Sequence, residues 1–158
     1  MISWMQAQPA TPSVNRLAVA ATNHCLTGCA IGEVLGLAIA IQLGWSTAAS
    51  IVLAVVLAYM FGYALTLRPL LRSGMALGSA LGIAFAADTL SITVMEIVDN
   101  AVILIIPGAM DAGLTSLLFW GSLAIALAIA WVAAFPVNRW LIGRGLGHAK
   151  VMEHHDHG

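Results

Sequence analysis

Charge is the scarcest commodity in this chain. Its 158 residues include only six Lys or Arg and seven Asp or Glu, so 8% are charged, where a soluble domain carries roughly a quarter. So little charge cannot keep a folded surface in water, which excludes an ordinary soluble domain and points to an integral membrane protein. The few basic residues never cluster, which excludes a tract suited to phosphate backbones and hence a nucleic-acid partner. Cysteine is almost absent as well. Cys25 and Cys29 are the only two, and one pair at this spacing does not resemble a secreted disulfide framework. Phosphate loops, nucleotide fingerprints and Ser-His-Asp arrangements are missing, which sets aside NTPase and hydrolase chemistry. Residues 1–16 lack a basic region ahead of an apolar one, and Gln6, Gln8, Pro9, Pro12 and Asn15 interrupt them. They read as a short cytoplasmic or interfacial lead rather than a signal peptide, with Trp4 suited to the headgroup level.

What the chain does have is apolar length. Four runs, approximately 17–43, 47–67, 75–106 and 114–141, each exceed or match the roughly 20 residues that span a bilayer. Gly- and Pro-containing breaks separate them: Gly44-Trp45-Ser46, the stretch from Arg68-Pro69 to Gly74, and Pro107 to Gly113. The basic residues are Arg16, Arg68, Arg72, Arg139, Arg144 and Lys150. They fall before the first run, between the second and third, and after the fourth. The positive-inside rule then places both termini in the cytoplasm. The fold expected is all-α: one domain forming an integral membrane four-helix bundle, followed by a tail from 145 to 158.

The first run holds an unusual group. At about 100° per residue, Cys25, Cys29 and Glu33 share one side of a helix, with His24 beyond a stripe made by Gly28, Gly32 and Gly36. Small residues at that spacing let helices approach closely, so the stripe is a candidate surface for a homo-oligomer. The third run carries two polar stripes, Asp88, Ser91, Met95 and Asp99 on one, Thr89, Thr93, Glu96 and Asn100 on the other. Acids within a span cost at least about 2.5 kcal/mol each on insertion scales, so such a face must point at protein or a watered cavity. Counted at about 1.5 Å per residue from residues 17 and 75, Glu33 falls near the depth of Asp88. Glu96 and Asp99 then lie further out. The second and fourth runs read as bland shielding, with Met60 as packing.

Thiolate and imidazole are ligands for soft or borderline ions, and methionine shifts the preference toward copper(I). His24, Cys25 and Cys29 are therefore candidate ligands for copper or zinc, with Glu33 as an outer ligand or proton acceptor. Met95, Asp88, Glu96 and Asp99 are the further candidates, the acids suiting a hydrated cation path or a proton relay. The tail supplies a second donor set, His148, Met152, His154, His155 and His157, a His-rich tract of metal-binding composition.

The signature His24-Cys25-x3-Cys29-x3-Glu33-x2-Gly36, with Asp88-Thr89 and Met95-Glu96-x2-Asp99-Asn100 further on, resembles a bacterial family of small four-helix membrane proteins of unknown function. The resemblance implies a multi-pass protein of the bacterial inner membrane and a role in copper or related heavy-metal homeostasis, since members often lie near copper-handling genes. The leading functional expectation is a soft-metal binding or transport protein with an intramembrane Cys/His/Glu site, a cation- or proton-conducting role being its variant. Two alternatives stand beside it. A thiol redox enzyme is disfavoured because redox pairs usually sit at C-x-x-C. The other is a structural or assembly subunit whose polar groups hold helices together.

Overall fold

The computed structural model describes residues 12–145, so Trp4 and the tail donors His148, Met152, His154, His155 and His157 lie outside the described residues. Four helices follow one another: α1 (Val14–Leu43), α2 (Thr47–Arg72), α3 (Leu77–Ile105) and α4 (Leu117–Gly143). Each is long and apolar enough to cross a membrane. Serine hydroxyls start three of them. Ser13, Ser46 and Ser116 accept from the backbone N–H of Arg16, Ala49 and Leu118, satisfying donors that the first turn leaves open. Gly44 ends α1 at φ 65°, a left-handed conformation that glycine adopts without a Cβ clash. The break expected at Arg68-Pro69 falls later: α2 continues through Pro69 to Arg72, and the chain turns at Ser73 and Gly74. One proline removes a single ladder bond, and in the last turn of a long helix that loss is local.

α1 packs against α2 and α4, α3 packs against the same two, and α1 meets α3 across the middle while α2 and α4 stay apart. The two helices rich in polar groups thus face one another. The tightest seam joins α1 to α2. A Cβ on Gly28 would stand 2.7 Å from Gly62 Cα, one on Gly36 2.5 Å from Ala54 Cα, and one on Gly32 would overlap the Ala58 backbone. The stripe expected to receive a second copy is therefore consumed inside the chain, because α2 offers it a matching stripe of Ala54, Ala58 and Gly62. A homo-oligomer cannot use a face already covered.

The α2–α3 seam is held by hydroxyls. Thr89 and Thr93 give their protons to the carbonyls of Phe85 and Thr89. Their oxygens are left to accept from Tyr63 and Tyr59, the former at 2.7 Å. These threonines, on the stripe expected to face protein or a watered cavity, are thus bound up in helix packing. Polarity overall is inverted relative to a water-soluble bundle: Val52, Met60, Phe85, Ile97 and Val132 are exposed, whereas Glu33, Asp88, Glu96 and Asp99 are buried.

Candidate functional site

The buried acids line up against α1 in a definite register. Cys25 Sγ donates to Asp88 Oδ1 at 3.9 Å. One turn on, Cys29 faces Glu96, and one turn beyond that Glu33 lies within hydrogen-bonding reach of Asp99. The count along the sequence instead sets Glu33 level with Asp88, two turns away from where it sits. Part of the reason is where the helices begin. α1 starts at Val14 and α3 at Leu77, rather than at residues 17 and 75, which shifts the match by five residues, about 7.5 Å; the remainder is set by how the two helices pack.

Sulfur gathers in the centre. Cys25, Cys29 and Met95 pack in one buried cluster with Ala58, Ile92, Ala130 and Ala134. Both cysteines are unbridged, with Cys25 0% and Cys29 1% exposed. Alanine opposite them on α2 and α4 leaves room for the larger sulfur side chains of α1 and α3. The half of the column farther from the termini holds oxygen instead. Glu33 Oε2, Glu96 Oε1 and both carboxylate oxygens of Asp99 are buried and meet no donor. Glu96 Oε2 accepts a long bond from Asn100 Nδ2, at 3.4 Å. Two facing carboxyl groups in a dry interior cannot both carry an uncompensated charge, so the Glu33–Asp99 pair takes up either a shared proton or a cation. Among the described residues no protein cation supplies it, since Arg16, Arg68, Arg72, Arg139 and Arg144 are all exposed.

His24 is half-buried and its Nε2 meets Thr66 Oγ1 of α2 at 2.8 Å. The expected sharing of one ion by His24, Cys25 and Cys29 is not preassembled: among the described residues no three of His, Cys, Asp and Glu stand close enough together to hold a metal ion. Helical spacing puts side chains on a common face, but which neighbour each one meets is set by the opposing helices. Here α2 engages the imidazole while α3 engages the thiols.

The sequence reading missed Asn138. α4, taken as bland, inserts this residue 1% exposed into the end of the column nearer the termini. Its Nδ2 donates to Thr22 Oγ1 at 3.0 Å and Ser91 Oγ at 2.9 Å, while its buried Oδ1 meets no donor. The signal was present. Ser122, Ala126, Ala130, Ala134 and Asn138 recur every four residues and form the buried stripe of α4.

A family model described as a domain of unknown function, DUF4396, matches residues 15–147. No curated protein matches, and no solved structure does.

Proposed function

This chain belongs to the DUF4396 family, and from that premise and the buried column we propose that it is a multi-pass membrane protein that binds a soft cation and passes it between α1 and α3. The observation that carries the reading is the clustering of three sulfurs, Cys25, Cys29 and Met95, in a lipid-sheltered interior. Two thiols and a thioether favour copper(I), with zinc second. A thiol must lose its proton to bind a metal, and Asp88 and Glu96, facing the two thiols, are placed to receive it. His24, tied to Thr66 at the inner end, is placed as an entry ligand rather than as a third member of the sulfur site. The inside-out polarity of the bundle supports insertion in a bilayer. The distribution of arginine supports cytoplasmic termini, and the resemblance to a bacterial family supports an inner-membrane location.

A second cargo, the proton, is favoured by one particular feature: beyond the sulfurs the column continues as oxygen alone, through Glu33 and Asp99. Less supports the redox reading, since both thiols are buried where no partner thiol or quinone reaches them. The decisive measurement is the metal content of detergent-purified protein after anaerobic loading with copper(I) or zinc. Wild type is expected to retain about one equivalent per chain, and the double variant Cys25→Ser with Cys29→Ser to lose affinity by about two orders of magnitude or more, since hydroxyls replace both soft ligands. Full retention by the double variant would remove the soft-metal reading. Proton uptake into vesicles by that same variant would then favour the second cargo.

A further inference from the structure

The end of the bundle opposite the termini holds a cavity of about 110 Å³, with Leu37, Ser50, Ile103, Asp111, Phe119 and Ser122 in its wall. All four helices and the α3–α4 turn contribute to it. Its chemistry is one-sided. Ser50 gives its hydroxyl proton to Ser46 O, and Ser122 gives its proton to Leu118 O, so both offer lone pairs to the cavity. Asp111 adds a carboxylate, and among the described residues no Lys, Arg or His lines the space. Such a wall favours cations over anions.

The position of the cavity relative to the column is equally specific. Leu37 lies one turn beyond Glu33 on α1, and Ile103 one turn beyond Asp99 on α3, a rise of about 6 Å on each helix. Leu37 and Ile103 pack together with Phe119 and Leu123 in one apolar cluster. On the near side of that layer stand carboxylate oxygens of Glu33 and Asp99 that meet no donor. On the far side is the recess, whose largely apolar wall carries the oxygens of Ser50, Ser122 and Asp111.

We infer that this cavity is the port through which the column exchanges its cation with the termini-distal side, and that Leu37 and Ile103 form the apolar gate between the port and the Glu33–Asp99 pair. The inference rests on the cation reading above but concerns access rather than cargo. Rotation of these two side chains about their χ angles is the motion this gate calls for, over a path of a single turn. Asp111 stands at the mouth, where it raises the local concentration of positive ions. The α3–α4 turn roofs the space through Ala109, Met110 and Ala112, which join the same apolar cluster.

The test uses thiol labelling of the full chain in sealed vesicles, in a Cys25→Ser/Cys29→Ser background, with two membrane-impermeant methanethiosulfonates of similar size, one a quaternary ammonium and one a sulfonate. Ser122→Cys, with Ser50→Cys as a second reporter should the first fail to fold, is expected to react at least about tenfold faster with the cationic reagent, the lower bound for focusing by a charged cleft. Asp111→Asn should remove most of that preference. Asp99→Cys is expected to stay unlabelled behind wild-type Leu37 and to become reactive when Leu37→Ala is added. Equal rates for the two reagents at both reporters would overturn the port. Labelling of Asp99→Cys that is the same with and without Leu37→Ala would overturn the gate. Because the labelling reads access whatever the ion, the port survives a failed metal-loading experiment, and metal loading survives a failed port.

Discussion

Gly32→Ala is expected to cost the bundle about 3 kcal/mol or more, the upper range for overpacking a filled core. A Cβ at this position overlaps the backbone nitrogen and Cα of Ala58 rather than a side chain that can rotate away. Relief requires α1 and α2 to separate, which also disturbs Gly28 against Gly62 and Gly36 against Ala54. At roughly 2–4 °C per kcal/mol for a chain of this size, the melting temperature in detergent should fall by roughly 6–12 °C. Gly82→Ala is the matched control. A Cβ there meets nothing within 4 Å, and alanine is about 1 kcal/mol the better helix former, so this variant should melt at or above wild type. Thermal melts followed by circular dichroism compare the two. Equal melting of both variants would mean that the α1–α2 seam is not the close contact described.

The second large effect concerns the acid pair and has an unusual sign. Glu33→Gln is expected to make the cation-free protein more stable while abolishing passage of the cation. An amide at residue 33 gives Asp99 a permanent donor where its oxygens otherwise meet none, and removes the need for a proton or an ion to bridge the two side chains. Satisfying a buried acceptor is worth about 1–3 kcal/mol, so a rise in melting temperature of several degrees should follow. Wild type catches up only when loaded. An ion at about a hundred times its dissociation constant adds about 2.7 kcal/mol to the folded state. Melts with and without copper(I) or zinc, paired with uptake into vesicles, read both halves of the expectation. A Glu33→Gln protein that is less stable than cation-free wild type and still transports would show that the pair is structural. In that event Glu33 and Asp99 hold α1 to α3 and the cation path lies elsewhere. Asp99→Asn should repeat the pattern, since it also places an amide donor opposite a carboxylate.

Both predictions depend on which residues face which, and that is where sequence and structure part company. Four apolar runs with Gly and Pro between them specify four helices, because helix length and apolarity are local properties of a chain. The starts were less legible. α1 begins ahead of the residue where the apolar run begins, because Ser13 caps it and the first turn tolerates Asn15 and Arg16. α2 outlasts its apolar run because Pro69 sits in a final turn where one lost bond matters little. The early start of α1, with the start of α3 at Leu77 rather than 75, accounts for part of the error in matching Glu33 to Asp88.

The site itself was half visible. Cys25, Cys29 and Glu33 on α1, and Asp88, Met95, Glu96 and Asp99 on α3, are buried together as their spacing implied. Acids in an apolar helix stand out because burying them is costly. Asn138 did not stand out, since a single amide in an apolar run carries little cost until its partners Thr22 and Ser91 are known. The partners of His24, Thr89 and Thr93 were not legible either. Their polarity is evident in the sequence, but Thr66, Tyr63 and Tyr59 claim their hydrogen bonds from another helix.

By itself, then, the sequence determined the number of helices, the apolar exterior and the inventory of sulfur and carboxylate donors, all of which follow from composition and helical period. Only the tertiary structure decided that the glycine stripe serves α2 rather than a second copy. It alone set the thiols against Asp88 and Glu96, and left Glu33 and Asp99 facing one another with no positive group between them. Register between helices is a long-range property. It is set where backbones come close enough to touch, here at Gly28, Gly32 and Gly36 against Gly62, Ala58 and Ala54, and no local pattern records which turn of one helix will meet which turn of the next.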